Sequence, residues 1–150
     1  MLWLRINFLP IHFYHRTKVR AAWYTLHAAL ENETTQQKGI VFLVNLATTL
    51  PRHFDRRFTQ LLASSIRGVL PVRVSVIYIF NAPYLFEILF DVVAALLGDR
   101  LTKRIKLYSG ENVDRIGEFG IGLHMLPVDL GGEIILDQNR WLAIRERDEK

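Results

Sequence analysis

The sequence predicts an α/β domain whose floor is a mostly parallel sheet. Short runs of β-branched and aliphatic residues alternate along the chain with longer segments that carry apolar residues at helical spacing. Strands that are apolar on both faces are typical of a sheet covered by helices. The order strand, helix, strand, helix, strand, helix, strand favours right-handed crossovers within one sheet. The 150 residues, half of them hydrophobic, are enough for one domain with its own core.

The first part of the chain provides two strands and a helix between them. Residues 2–8 are aromatic and aliphatic and predict a strand, which Pro10 ends. Residues 17–30 predict a helix, residues 32–39 a polar turn, and residues 40–46 a continuous apolar strand. The apolar face of the helix is formed by Val19, Trp23, Leu26 and Leu30.

A second helix follows the strand at residues 40–46. Thr48, Thr49 and Pro51 open it, and Gly68 and Pro71 end it. The side chains predicted to face inward from this helix are Phe54, Phe58, Leu61, Leu62 and Ser65.

The remaining elements complete the alternation. Residues 72–80 predict a buried strand, residues 84–97 a helix, residues 104–108 a short strand and residues 111–119 a short amphipathic helix. We expect residues 1–137 to form one lobe and residues 138–150 to form a charged, frayed C-terminal tail.

The helix predicted at residues 84–97 is hydrophobic around nearly its whole circumference. Such a helix is either fully buried or faces something apolar that is not protein. Two interpretations stay open: a central core helix, and a lid over a lipid that also touches a bilayer. A transmembrane span is disfavoured, because Asn81, Pro83, Glu87 and Asp91 interrupt the apolar window.

Basic residues follow this helix directly, at Arg100, Lys103, Arg104 and Lys106, in a chain of net charge +4. If the helix continues, Arg100 and Arg104 share one face. A run of charges after a helix is often only solvated surface. Its position beside an apolar helix is, however, how a peripheral membrane site is built, since basic groups attract anionic headgroups.

Catalytic and metal sites find little support. The chain has no cysteine, which excludes a disulfide scaffold and a thiolate zinc site. Ser64 and Ser65 lack the Gly-x-Ser-x-Gly setting of a nucleophile. His12 and His15 have a ligand-like spacing without a third ligand, so we expect no metal.

Cofactor and acid–base chemistry are disfavoured on similar grounds. Gly120 and Gly122 follow a helix, whereas a dinucleotide-binding turn follows a strand. Glu87 and Asp91 lie one helical turn apart and are either an acid–base pair or, as we favour, a solvated edge. We therefore expect no enzyme and no cofactor other than a bound lipid. Nucleic-acid binding is not expected, because no aromatic stacking platform interleaves with the basic residues.

Four ordered blocks of sequence resemble the CRAL-TRIO lipid-binding domain family. The most characteristic features are the Asn81-Ala82-Pro83 turn after an apolar strand and the closing Leu126-Pro127 and Gly131-Gly132 pairs. The four blocks, which cover a region of about residues 2–137, are residues 38–46, 70–86, 101–107 and 126–132. The resemblance implies a sheet floor, helices over it, a hydrophobic lipid held between them, and a gate helix at residues 84–97. The helical bundle and the strand that usually precede this lobe in the family are missing, which suggests an N-terminally truncated lobe.

We predict a lipid pocket from the strand and helix faces that the resemblance brings together. Its residues are Phe42, Val44, Phe58, Leu62, Ile77, Ile79, Phe86, Phe90 and Val93. The resemblance also implies a phosphoinositide-binding or membrane-binding rim, for which Arg73, Arg100 and Arg104 match basic positions of tocopherol-transfer members. We add Lys103 to this rim because it lies in the same basic cluster.

Several positions depart from the phospholipid-binding members of the family. Val72 replaces an acidic residue, and Ile40 and Phe42 replace hydroxyl-bearing residues. Ser75 stands where tocopherol-transfer members have a fourth basic residue, and Asn45 replaces an acid. These departures favour an apolar ligand, or a headgroup bound only at the rim.

The expected function is binding and intermembrane transfer or presentation of a hydrophobic lipid. The expected partners are a hydrophobic lipid or phospholipid and an anionic membrane surface, and the expected location is the cytoplasm, peripheral on membranes. The alternative is a non-enzymatic protein-interaction or regulatory module on the same fold within a signalling protein, in which the apolar helix meets a protein partner.

Overall fold

A computed structural model describes residues 2–3, 15–47, 49–50, 54–68, 71, 73–84, 86–108 and 121–149. The chain forms two compact units, Met1–Gly110 and Glu111–Lys150. The first unit contains the sheet and five of the helices described below. The strand continuation predicted at residues 4–8 and the helix predicted at residues 111–119 lie outside the described residues.

The sheet of the first unit has four strands, all parallel, in the order in which they occur along the chain. They are β1 (Leu2–Trp3), β2 (Ile40–Asn45), β3 (Val74–Phe80) and β4 (Ile105–Tyr108). Parallel pairing confirms the predicted α/β class, because each crossover between neighbouring strands passes through a helix.

Helices fill the crossovers. The first unit contains α1 (His15–Leu30), α2 (Glu33–Lys38), α3 (Arg56–Gly68), α4 (Phe86–Leu97) and α5 (Asp99–Thr102), and the second contains α6 (Gln138–Asp148). Right-handed crossovers between consecutive neighbours place α1, α3 and α4 on one face of the sheet. In agreement, α1 packs on α3 and α3 packs on α4.

The polar turn predicted at residues 32–39 is wrong, since most of it folds as α2. Asn32 Oδ1 accepts a hydrogen bond from the Thr35 amide at 3.2 Å and caps the new helix. The helix ends at Gly39, whose φ of 89° is accessible mainly to glycine. A Cβ at Gly39 would lie 2.6 Å from the Arg73 carbonyl oxygen, which accepts the Ile40 amide at 2.7 Å. Gly39 therefore allows β2 and β3 to start close together.

The start and inner face of α3 differ from the prediction. Asp55 caps the helix by accepting the Phe58 amide at 2.9 Å, and Lys18 Nζ lies 3.3 Å from the same carboxylate. Leu61 was predicted to face inward, but it is 45% exposed. The helix is rotated so that Ala63 is fully buried and Leu62 and Ile66 pack in the core.

The core between the sheet and the helices falls into two apolar clusters. The larger is centred on Leu26, Ile40, Phe42, Val74 and Leu101. The smaller is centred on Val44, Leu46 and Ile79. On the other face of the sheet, Leu43, Tyr78 and Phe80 are buried. The Phe80 and Tyr108 rings stack there with centroids 5.5 Å apart.

In the second unit, the Leu-Pro and Gly-Gly pairs form one tight turn. The Gly132 amide donates to the Pro127 carbonyl at 3.0 Å, and the Ile134 amide donates to the Leu126 carbonyl at 2.8 Å. A Cβ on Gly132 would lie 2.2 Å from the Leu126 carbonyl oxygen, so the turn closes only around glycine. The tail expected to be frayed instead forms α6, which Asp137 caps through the Arg140 amide at 2.9 Å.

Candidate functional site

The residues predicted to line a lipid pocket lie between the sheet and the helices of the first unit. Phe42 pairs with Ile77, and Val44 pairs with Ile79, across β2 and β3, so that all four share one face of the sheet. Leu62 and Ile77 pack against the larger cluster, and Phe86 packs against the smaller one.

The remaining predicted pocket residues lie on the helices above these strands. The Phe86 and Phe90 rings approach to 6.1 Å between centroids. Phe58 on α3 and Val93 on α4 are half-buried. The structure therefore brings seven of the nine predicted residues into one continuous apolar region, and it places the other two on the adjoining helices.

Helix α4 has two different apolar faces. Phe86, Phe90, Val93 and Leu97 recur at helical spacing and are half-buried towards the sheet. On the opposite side lies an outer stripe, which we define as Tyr84, Ile88 and Val92. These side chains are 86%, 68% and 39% exposed. None of the described side chains of α4 is fully buried, although nearly all of them are apolar.

The start of α4 is fixed at the carboxyl ends of β2 and β3. Asn81 Nδ2 donates to Asn45 Oδ1 at 3.0 Å, and the Asn81 amide donates to the Tyr108 carbonyl at 3.0 Å. Asn81 has a φ of 53°, a left-handed conformation that asparagine tolerates better than most residues. Pro83 then opens the helix by accepting the Phe86 amide at 2.7 Å.

The far end of α4 closes at Gly98. The Gly98 amide donates to the Ala94 carbonyl at 2.8 Å, and the φ of 74° turns the chain into α5. Thr102 Oγ1 donates to the Gly98 carbonyl at 3.0 Å. Because the helix breaks here, Arg100 and Arg104 do not share a helical face. The shared face that a continuous helix would have given these two arginines is therefore absent.

The predicted rim residues nevertheless lie at one end of the fold, where the parallel strands begin. Arg73 directly precedes β3, and Arg104 directly precedes β4. Arg100 and Lys103 lie in and just after α5, between the end of α4 and that same strand start. Arg73, Arg100 and Lys103 are exposed. The salt bridges found among the described residues involve none of the three.

Arg104 differs from the other rim residues. Its guanidinium donates to the Val74 carbonyl, its amide donates to the Leu101 carbonyl at 2.9 Å, and its carbonyl accepts the Ile77 amide at 2.9 Å. The side chain is half-buried. Arg104 therefore joins β3 to β4 as well as contributing positive charge.

Two further cations at this end were missed by the sequence prediction. Lys38 ends α2 beside Gly39, and Arg67 lies in the last turn of α3 with its Nη1 3.3 Å from where a Gly98 Cβ would lie. We call the six residues together the basic edge: Lys38, Arg67, Arg73, Arg100, Lys103 and Arg104. Their positions along the chain could have identified these two cations. Lys38 lies two residues before the strand predicted at residues 40–46, and Arg67 lies at the end of the helix that precedes the next strand.

One cleft of about 470 Å³ lies at the junction of α1 and α2. It is lined by Ala28, Ala29, Asn32, Thr34 and Thr35, and none of the predicted pocket residues contributes to it. Within the described part of the chain, no group of three or more histidine or carboxylate side chains is placed to hold a metal. No helix among the described residues is long and apolar enough to cross a membrane.

Comparison with known proteins identifies the protein family of this chain. The CRAL/TRIO domain family matches residues 5–132, and the chain belongs to that family. The order of its four blocks, including the Asn-x-Pro turn and the closing Gly-Gly pair, is thereby accounted for.

Two groups of curated proteins are similar to the chain. Tyrosine-protein phosphatase non-receptor type 9 of Rattus norvegicus is 25% identical over 123 residues, which are 82% of this chain and 20% of that protein. The Homo sapiens protein of the same name is 24% identical over the same length. Alpha-tocopherol transfer protein-like of Mus musculus is 23% identical over 142 residues, which are 92% of this chain and 41% of that protein. The chain thus spans about a fifth to two fifths of these relatives.

Proposed function

We propose that this chain binds a hydrophobic lipid and transfers it between membranes or presents it at one. The observation that carries the proposal is the two-sided character of α4. Its inner face meets the apolar region on the sheet through Phe86, whereas Ile88 on the outer stripe is 68% exposed. A helix that is apolar on both sides suits a gate between an oily cargo and a bilayer.

The interior beneath α4 supplies the chemistry that such a cargo needs. No polar or charged residue is fully buried in the part of the chain that the structure describes. Transferring a methylene group from water into such surroundings stabilises the complex by about 0.8 kcal/mol. A long hydrocarbon can therefore be held without any catalytic group, which supports a binding function rather than an enzymatic one.

We further propose that the rim residues Arg73, Arg100, Lys103 and Arg104 contact phosphoinositide or other anionic headgroups. The exposed basic side chains at the strand starts lie beside the end of α4, so one approach to a membrane would engage the charges and the apolar helix together. Peripheral membrane attachment of a cytoplasmic protein is the arrangement that this geometry supports.

The ligand is proposed to be mainly apolar. Ile40 and Phe42 occupy the β2 positions where phosphatidylcholine-binding members of the family have hydroxyl groups, and both are buried in the larger cluster. The name of one relative refers to tocopherol transfer, which is consistent with a cargo of this kind.

Lipid that co-purifies with the protein tests the proposal. Native mass spectrometry of the protein should show a bound mass that organic extraction removes, and the protein should move that lipid from donor to acceptor vesicles. A protein that carries no lipid and takes none up from vesicles would overturn the proposal.

A protein-interaction module on the same fold is the second candidate. It is favoured by the similarity to a fifth of a tyrosine-protein phosphatase, because a domain embedded in a signalling protein can serve to recruit a partner. Liposome flotation distinguishes the two functions. A lipid carrier should float with anionic vesicles, whereas a module whose outer stripe binds protein should remain at the bottom of the gradient.

A further inference from the structure

Among the described residues, one buried side-chain nitrogen or oxygen atom lacks a hydrogen-bond partner. Trp23 Nε1 is buried and makes no hydrogen bond. Leaving a buried donor unpaired costs about 1 to 3 kcal/mol, so such groups in folded proteins normally meet an acceptor. This atom therefore needs an explanation beyond packing.

The position of Trp23 links this donor to the proposed lipid pocket. The ring packs against the larger cluster, which also contains Phe42 and contacts Leu62 and Ile77. All three are predicted pocket residues. On its own helix, the Trp23 ring lies near the His27 ring, with centroids 6.1 Å apart.

Three other hydrogen-bonding side chains of the first unit already have partners among the described residues. Ser65 Oγ donates to the Leu61 carbonyl at 2.8 Å, and Thr102 Oγ1 donates to the Gly98 carbonyl at 3.0 Å. Arg104 donates to the Val74 carbonyl. The Trp23 indole, by contrast, has no partner and is available to a molecule bound against the sheet.

We infer that the Trp23 indole N–H donates a hydrogen bond to an oxygen atom of the bound lipid. The inference rests on the proposed lipid-binding function and narrows its ligand class. The cargo is a lipid whose hydroxyl, carbonyl or ether oxygen reaches the interior beside α1, and a pure hydrocarbon leaves the donor unpaired. Trp23 thereby determines specificity, while the apolar clusters supply most of the affinity.

Two matched pairs of ligands test this inference: 1-hexadecanol with hexadecane, and cholestanol with cholestane. Each pair differs only in one oxygen. The wild-type protein should bind the oxygenated member more tightly, by about tenfold for one hydrogen bond. The Trp23→Phe variant should lose that preference and bind the hydrocarbon as well as the wild type does. Trp141→Phe, which removes an indole from α6, is the matched control and should keep the preference.

A second measurement, by NMR, follows lipid binding in the wild-type protein alone and uses the variant only to assign a signal. In ¹⁵N-labelled protein, the indole N–H signal that disappears in Trp23→Phe belongs to Trp23. That signal should move downfield when the oxygenated member of a pair is added, and it should stay in place with the hydrocarbon.

The outcomes separate this inference from the function on which it rests. Binding of both members with equal affinity, with the indole signal unmoved, would overturn the role of Trp23 and leave the lipid carrier intact. Failure of the wild-type protein to bind any of the four ligands would remove both.

Discussion

The side-chain amide of Asn81 donates to the side-chain oxygen of Asn45 at 3.0 Å, and this bond joins the carboxyl ends of β2 and β3. Asn45 Oδ1 also accepts the Ala47 amide at 3.1 Å, so the chain after β2 is held at the same point. Two residues beyond Asn81, Pro83 begins the turn into α4. The bond therefore sets the place from which the proposed gate helix leaves the sheet.

Two substitutions at Asn81 separate the hydrogen bond from the backbone conformation. Asn81→Gly removes the bond but keeps the positive φ accessible, and it should lower the free energy of unfolding by about 1 kcal/mol. Asn81→Ala removes the same bond but keeps a β-carbon in the left-handed region, so it should be less stable than Asn81→Gly by about 1 to 2 kcal/mol. Urea denaturation followed by circular dichroism measures both. Equal stability of the two variants would show that the φ of 53° does not constrain this turn.

Ile88→Ser tests whether the outer stripe enters membranes. Because the side chain is 68% exposed, the substitution should change the free energy of unfolding by no more than about 0.5 kcal/mol. Loss of one aliphatic side chain from a bilayer contact should weaken vesicle binding about tenfold. Flotation with phosphatidylserine-containing vesicles measures the effect.

The matched control for Ile88→Ser is Ile135→Ser in the second unit. Ile135 is 83% exposed and lies outside α4, so its replacement should leave flotation unchanged. An identical loss of flotation in both variants would show that general surface hydrophobicity, and not the outer stripe, carries the binding.

Charge reversal at Arg73 and Arg100 tests the basic edge. Both side chains are exposed, so Arg73→Glu with Arg100→Glu should fold normally. Each basic group near an anionic membrane contributes about 1 kcal/mol, so the double variant should bind phosphoinositide-containing vesicles about 30-fold or more weakly. The difference should shrink in high salt, because screening weakens the attraction. Arg104 is less suitable for this test, since its guanidinium also bonds to the Val74 carbonyl.

Arg20→Glu is the control for the reversal. Arg20 is exposed on α1, about 15 Å along the helix from the end that leads to the basic edge. Its reversal should lower vesicle binding much less than the matched single reversals Arg73→Glu and Arg100→Glu, which change the net charge by the same amount. Equal losses would indicate that only net charge, and not the placement of the basic edge, matters.

Tyr78 should make the stability of the first unit sensitive to alkaline pH. Burial raises the pKa of its hydroxyl above the ordinary value of 10.0, so the folded state favours the neutral phenol. The resulting stabilisation is fully present below the pKa of the unfolded chain and is lost as pH rises through the higher folded pKa. Thermal melts between about pH 9 and pH 11 should therefore show a steeper loss for the wild type than for Tyr78→Phe. Tyr84→Phe, at an exposed hydroxyl, should follow the wild-type curve.

Periodicity located most of the secondary structure in advance. The helix predicted at residues 17–30 appears as α1, and the strands predicted at residues 40–46, 72–80 and 104–108 appear as β2, β3 and β4. These predictions are confirmed, because α1 follows apolar residues at helical spacing and β2 and β3 follow continuous apolar runs typical of a covered sheet. The polar segment that became α2 has no such repeat, and its one signal was the capping residue Asn32.

The inner face of α3 shows where periodicity is insufficient. Leu61 and Leu62 are equally apolar, and their spacing admits either of them on the buried side. Packing against α1 and α4 selects Leu62 and Ile66 and leaves Leu61 45% exposed. Which of two adjacent leucines is buried depends on the rotation of the helix, and that rotation is set by its neighbours.

The sequence by itself determined the α/β alternation, the apolar excess of α4 and the family to which the chain belongs, because these depend on residue types and their order. Only the tertiary structure gathered Lys38, Arg67 and Arg73 at one end of the sheet and left Trp23 Nε1 without a partner among apolar side chains. The starts of parallel strands meet at one end of a sheet although they come from distant parts of the chain. Whether a buried donor has a partner depends on the groups around it in space, which the sequence alone does not show.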